Sequence, residues 1–277
     1  MSVFEQVPIQ QVQNYWDARP CNLRHSPQPI GTREYFDEVE RRKYFVEPHI
    51  LGFAEFSKWA GKRVLEIGCG LGTDTISFAR AGAQVTAVDL SPKSLELAQH
   101  RANVYGLNER IRFYCGNVEE LDKTVPVEPY DLVYSFGVIH HTPRPDRVIE
   151  QINKYLTADG ELRLMVYSKV SYKLFWIMKE EGIWDMGRLD ELIAKNSEAQ
   201  TGCPVTYTYT FNEVQSMLRG FEMLEIRKAH IFTWDLAAYK QYEYKKDPAW
   251  ARVDARQMAE LEKELGWHTL VRARLIV

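Results

Sequence analysis

A hydrophobic run, a glycine-rich turn, a helix and a second hydrophobic run ending in aspartate fill residues 63–89, and no other feature constrains the fold as tightly. Arg63 to Ile67 (RVLEI) reads as a short buried strand running directly into Gly68-Cys69-Gly70-Leu71-Gly72. A helix follows to about Ala81, and Gly82 is placed to end it in the left-handed conformation. Gln84 to Val88 forms the second strand, with Asp89 at its end. Two strands joined through a helix in so short a span are parallel neighbours, connected by a right-handed crossover.

The same rhythm continues downstream. Ser91-Pro92 supplies a cap and a first-turn proline for a helix ending at Gly106. Ile111 to Cys115, Asp131 to Phe136 and Glu161 to Tyr167 read as the third, fourth and fifth strands. After Tyr167 the alternation stops for about 45 residues, with helical stretches near 171–181 and 188–197. Thr210 and Glu213 then form a capping-box pair, and Met223 to Ile231 and Thr269 to Val277 are two further strands. Val205, Tyr207, Tyr209 and Phe211 alternate with threonines, the pattern of a half-buried strand. The expected class is α/β: a Rossmann-like, seven-stranded, mostly parallel sheet with helices on both faces. Residues 1–60 form an N-terminal helical extension, 61–167 the binding core, 168–210 a lid insertion, and 211–277 the rest of the core with the C-terminal strands. Within the extension, Glu47 to Trp59 has helical spacing of apolar residues, and Arg41-Arg42-Lys43 reads as the solvated face of a helix.

Ligands of open α/β sheets bind at the carboxyl ends of the strands, where the glycine turn lies. Glycines let the backbone approach a ligand and take positive φ. Asp89 stands 21 positions after Gly68, a place from which a carboxylate accepts both hydroxyls of a ribose. A nicotinamide oxidoreductase would share these features, but its fingerprint is G-x-G-x-x-G. Here the third glycine comes one position early, at Gly72, and position 73 is threonine. Glu66, two positions before the first glycine, also suits a cationic ligand better than a pyrophosphate.

The run VLEIGCGLGTDTISFARAGAQVTAVDLS, with YDLVYSFGVIHHTPRP after it, resembles class I S-adenosylmethionine-dependent methyltransferases. The likeness is nearest to the small-molecule group that includes the ubiquinone and menaquinone methyltransferases, and it covers roughly residues 60–167. It implies S-adenosyl-L-methionine as cofactor. Gly68, Cys69 and Gly70 would pack backbone against its methionine and ribose portions, Asp89 would hold the ribose, and Leu90 would lie on the adenine. Asn117 and Val118 would meet the adenine edge, and Phe136 would line the methionine side. The family often has aspartate where this chain has Asn117, and an amide oxygen still accepts from the adenine amino group.

Methyl transfer from a sulfonium is an in-line displacement, so positioning supplies most of the catalysis. His140 and His141 follow the fourth strand and are candidate catalytic residues for proton transfer, with His140 nearer the strand end; they equally suit capping or cofactor contact. Tyr15, Arg19 and Arg33 are candidates for the methionine carboxylate. His230 ends the sixth strand and is a candidate to face the acceptor. The insertion and tail are crowded with aromatic residues, among them Tyr172, Trp176, Trp234 and Tyr239, which suits core packing and also a planar or cationic small-molecule acceptor.

Other classes fit less well. A net charge of -3 gives no general attraction to nucleic acid, and Ser135-Phe136-Gly137-Val138 replaces the Asp/Asn-Pro-Pro-aromatic motif of nucleic-acid amino-methyltransferases. Asp146 stands alone after the fourth strand, so no metal is expected. No apolar run is long enough to insert in a membrane, no secretory signal is visible, and the four separated cysteines suit reduced thiols, so the expected compartment is the cytoplasm. A non-catalytic S-adenosylmethionine-binding sensor or partner subunit would share the glycine loop but need no acceptor pocket.

Overall fold

The computed structural model describes residues 4–200 and 202–276, with backbone alone for 197–200. Seven strands form one sheet in the order β3-β2-β1-β4-β5-β7-β6, where β1 is Arg63–Ile67, β2 Gln84–Asp89, β3 Ile111–Cys115, β4 Tyr130–Phe136, β5 Leu156–Tyr167, β6 Phe221–Ala229 and β7 His268–Leu275. The first five are parallel, and β7 runs antiparallel between β5 and β6. The strand order reverses between β1 and β4, and the carboxyl ends of these two strands flank the crevice where such sheets bind ligands. Val277, at the end of the expected last strand, lies outside the described residues, as do residues 1–3 and 201.

Three helices precede the sheet: α1 (Ile9–Ala18), α2 (Arg33–Val46) and α3 (His49–Ala54). The crossovers are α4 (Thr73–Arg80), α5 (Pro92–Tyr105) and α6 (Pro145–Ile152). Leu65, Ile67, Val133, Leu162 and Leu164 are fully buried under α6 and its neighbours. On the opposite face Val64, Ile76, Phe78, Ala98 and Leu132 close a second core. Each of these valine, leucine, isoleucine and phenylalanine side chains contributes about 1.5–3 kcal/mol by leaving water. Beyond β5 lie α7 (Tyr172–Glu181), α8 (Leu189–Gln200), α9 (Phe211–Met217), α10 (Leu236–Lys240) and α11 (Ala255–Leu265). Leu174, Ile177, Leu192 and Ile193 join α7 to α8 in a small core of their own. No helix among the described residues is long and apolar enough to cross a membrane, and all four cysteines are free.

Three local expectations need correction. Arg41-Arg42-Lys43 is not a solvated face: Arg42 is buried, and Lys43 turns inward to Asp74 at 2.7 Å. Tyr35, Phe36, Val39 and Arg42 share the buried stripe of α2, so the helical period carries the basic residues inward with the apolar ones. The run from Glu47 to Trp59 is broken at Glu55, whose φ of 47° ends α3 and whose carboxylate pairs with the buried Arg163. Residues 205–211 do not form a ladder strand; Val205, Thr206 and Thr208 are buried, which breaks the alternation, and only Tyr209 makes a bridge, to Ser168. The capping box at Thr210 and Glu213 is present and starts α9.

Candidate functional site

The turns after β1, β2, β3 and β4 enclose a cavity of about 280 Å³. Gly68, with φ 76°, sits so close to the next turn that a Cβ would lie 2.2 Å from a Val138 methyl carbon. Gly70, with φ 52°, has open space where its Cβ would be. One glycine closes the loop against the protein, and the other leaves bare backbone facing the cavity. Asp89 is fixed through both oxygens, by the N–H of Gly70 at 2.8 Å and of Ser91 at 2.9 Å. Burial pushes its pKa up, while these N–H groups oppose the rise. Leu90, Asn117 and Val118 line the same end of the cavity, and Asn117 accepts from the Glu119 N–H at 3.0 Å through its side-chain oxygen. The helix α1 covers this end: Gln13 donates to the Leu90 carbonyl at 2.9 Å, Asp17 accepts from the Ser91 hydroxyl at 2.6 Å, and Trp16 reaches the lining.

The opposite end is walled by Phe136, Met165, Tyr167, Lys43, Glu47 and His268. Burial works against the Lys43 ammonium, but the Asp74 carboxylate more than offsets it and holds the pKa above its ordinary value. Tyr134 and Tyr44 donate their hydroxyls to Asp74 as well. Lys43 therefore remains a cation on the cavity wall. Glu66 lies behind the loop, not on its ligand face; it accepts from Thr75, and burial followed by the Asp74 charge pushes its carboxyl well up. Its charge thus says little about the ligand.

Several expected residues fall elsewhere. Arg33 is exposed and lies over the Tyr105 ring at 5.0 Å, and Tyr15 packs edge-on against Trp16; neither lines the cavity. His140 is completely buried, 3.9 Å from the Tyr167 ring, with no hydrogen bond to either ring nitrogen among the described residues. Burial, then the neighbouring His141, holds its pKa well below the usual imidazole value. His141 is the member of the pair on the cavity wall, with Nδ1 2.8 Å from the Val205 carbonyl and Trp16 packed edge-on at 5.3 Å. Gly68, Cys69, Gly70, Asp89, Leu90, Asn117, Val118 and Phe136 are all on the wall. Lys43, Glu47, Tyr167 and His268 were not anticipated there; for Lys43 the inward period of α2 was the available signal.

A second cavity of about 330 Å³ adjoins the first and shares Glu47, Tyr167 and His268 with it. Tyr172, Trp176, Phe232, Trp234, Tyr239, Trp250 and Trp267 make it strongly aromatic. At the junction His49 Nε2 meets His268 Nδ1 at 3.0 Å, and the His230 ring lies 4.7 Å from that of His268. Burial holds all three imidazoles neutral, lowering His49 to about 3, His230 to about 4 and His268 well below its ordinary value. Arg42 braces this region from α2, with its guanidinium 4.1 Å from the Tyr239 ring and 4.7 Å from that of Tyr242.

Residues 58–236 match the profile of the family described as methyltransferase domain. The chain belongs to that family. This methyltransferase domain is 35% identical over 118 residues to the mitochondrial ubiquinone biosynthesis O-methyltransferase of Schizosaccharomyces pombe, covering 42% of each chain. The match thus spans under half the length of that curated relative. Among solved structures, the domain is similar to magnesium protoporphyrin IX methyltransferase from Synechocystis with bound S-adenosylhomocysteine, at a TM-score of 0.62 and 15% identity over 97% of this chain and 100% of that one. It is similar as well to geranyl diphosphate C-methyltransferase from Streptomyces coelicolor, at a TM-score of 0.62 and 12% identity over 99% of both chains. Likeness at such identities establishes the shared fold, and the methyltransferase domain's own cavities must supply the rest.

Proposed function

We propose that this chain transfers a methyl group from S-adenosyl-L-methionine to a small-molecule acceptor that is planar and largely apolar, or cationic. The observation that carries the reading is the pair of adjoining cavities. One is walled by bare glycine backbone and an anchored carboxylate, the other by aromatic rings, and they meet at Tyr167 and His268. The residues present fit the cofactor: the space at Gly70 admits a ligand against backbone, and Asp89 keeps free lone pairs for two ribose hydroxyls. Bound there, the cofactor would supply an electrophilic methyl on a sulfonium for in-line transfer to an acceptor lone pair.

Leu90 and Val118 provide the apolar walls for the adenine, with Trp16 closing over it and His141 as a contact rather than a base. Lys43 takes the methionine carboxylate, in place of the candidates Tyr15, Arg19 and Arg33. His140 packs against Tyr167 and supports the wall between the cavities. Residues 168–210 act as the lid over the acceptor, in a cytoplasmic enzyme without a nucleic-acid partner. A sensor would have no use for the second cavity, and a dinucleotide would meet no third glycine at position 73.

Calorimetric titration with S-adenosylhomocysteine and with NADH tests the donor half: binding of the first and none of the second is expected, and the reverse overturns the reading. Incubation with S-adenosylmethionine and a panel of aromatic and cationic metabolites tests the transfer half. Release of S-adenosylhomocysteine is expected, whereas tight cofactor binding with no turnover across the panel favours the sensor.

A further inference from the structure

We infer that Glu47, His230 and His268 form a binding site for a divalent transition-metal ion at the junction of the two cavities. One ligand atom from each, a carboxylate oxygen and two imidazole nitrogens, lies within 4.8 Å of the others. His268 Nε2 stands 3.7 Å from Glu47 Oε1. Ligand atoms around one ion at about 2.1 Å from each are roughly 3 Å apart, so this group closes on a metal with side-chain shifts of up to about 1 Å, within the reach of rotamer adjustment.

Three further observations point the same way. First, His49 Nε2 meets His268 Nδ1 at 3.0 Å, which engages one ring nitrogen of His268 and directs the other at Glu47 and His230. A second partner that fixes the ring and its tautomer is the usual companion of a metal-binding histidine. Second, His230 holds a left-handed backbone, φ 70°, although it is not glycine. Its carbonyl accepts from Trp267 N–H at 2.8 Å, and the following Ile231 N–H is tied to Glu262 at 3.1 Å. Backbone strain of this kind persists where the surroundings impose it, and here it turns the ring toward His268, 4.7 Å away. Third, the ligands sit on rigid supports: Glu47 caps α2, His230 follows β6, and His268 begins β7, paired with Ala229.

A metal-free proton relay would use only the hydrogen-bonded pair of His49 and His268 with Glu47 beside it. The His230 ring makes no hydrogen bond among the described residues, and the relay leaves it without a task. Two histidines and one carboxylate are a donor set for zinc or ferrous iron that leaves coordination positions open. The nearby Lys43 keeps its charge, but its ammonium is held 2.7 Å from the Asp74 carboxylate, so the pair sets little net positive field against a cation here. The open positions face space bounded by Tyr172, Trp176 and Trp234. Taken with the methyltransferase reading, on which only this last step rests, the acceptor is an aromatic or planar molecule with an oxygen or nitrogen donor that reaches the ion.

The test uses the full chain, stripped with a chelator and titrated with Co2+ as a spectroscopic probe and then with Zn2+ as competitor. One equivalent of Co2+ with visible absorption bands, displaced by Zn2+, is expected. Glu47→Gln and His230→Ala should each weaken binding by about 100-fold, and His49→Gln, a positioning change, by about 10-fold. His100→Ala, at an exposed position of α5, should leave Co2+ binding unchanged. Circular dichroism and S-adenosylhomocysteine titration accompany every variant. Absence of stoichiometric Co2+ binding by a folded chain overturns the proposal, as does binding indifferent to Glu47→Gln and His230→Ala. A pH profile altered by His268→Gln without any metal identifies the relay instead and also overturns it. Metal binding without S-adenosylhomocysteine binding leaves the site standing and removes the methyltransferase reading.

Discussion

The two cavities share a wall of Glu47, Tyr167 and His268 but are built by different means. The first is made by short turns at the ends of neighbouring strands, and its contacts are largely backbone: Gly68, Gly70, and an aspartate held by two N–H groups. The second gathers side chains from α7, from the segments after β6 and from the start of β7, residues far apart along the chain. Backbone sites tolerate little change and are specified by glycine and turn chemistry. Side-chain sites are specified by packing partners and accept substitution, which is how one scaffold serves many acceptors.

The sharpest test of that contrast is Gly68→Ala. Its new Cβ meets Val138 at 2.2 Å in a left-handed backbone, adding about 1–2 kcal/mol of backbone strain to about 1–3 kcal/mol of overpacking. Denaturant unfolding should show a loss near 3 kcal/mol. Gly70→Ala meets nothing, so it should cost only about 1 kcal/mol of stability while weakening S-adenosylhomocysteine binding. Equal stability losses would mean that the loop does not approach the protein as described.

Asp89→Ala comes next. Losing two hydrogen bonds to a charged acceptor costs about 3 kcal/mol, a roughly 100-fold rise in the dissociation constant of S-adenosylhomocysteine. Because Asp89 lies outside the second cavity, Co2+ binding at Glu47 and His230 should stay within about twofold. A joint loss of both would show that the cavities fold as one unit.

The same contrast explains what could be read in the sequence. The strands and the glycine loop were legible because alternation, turn glycines and caps are local signals. Asp89, Leu90, Asn117, Val118 and Phe136 were legible because each directly ends or follows a strand at the ligand edge. Lys43 was hidden among charged neighbours on a helix whose buried stripe includes Arg42. Of the histidine pair, both are buried in one short turn, and packing puts the residue nearer the strand against Tyr167 and the next one on the cavity wall. Glu47, His49, His230 and His268 come from three chain regions, and only the antiparallel insertion of β7 between β5 and β6 brings them together.

Arg42→Met addresses the second cavity alone. It removes the guanidinium from the Tyr239 and Tyr242 rings and its hydrogen bond to the Tyr239 carbonyl at 2.7 Å. Cation–π contact at a desolvated site is worth about 2 kcal/mol, so thermal unfolding should shift by that order. Hydrogen exchange should rise in residues 235–247, while S-adenosylhomocysteine affinity stays within about twofold. Weakened cofactor binding would instead show that α2 transmits changes from Arg42 to the adjacent Lys43.

The smallest effect belongs to the wall itself, at His140. Burial keeps this imidazole neutral in the folded chain, whereas the unfolded chain takes up a proton as pH falls below about 6.5. The unfolded state then binds more protons, so stability is full above that pH and declines beneath it, by about 1.4 kcal/mol for the first pH unit. His140→Met removes the proton site and keeps an apolar contact against Tyr167, so unfolding measured at pH 7.5 and pH 5.5 should show a slope flatter by about that amount. The other buried histidines near the junction retain their own slopes in both proteins, and the comparison cancels them. An unchanged slope would mean that His140 titrates alike in the folded and unfolded chains, which would return it to consideration as a proton carrier beside the cofactor cavity.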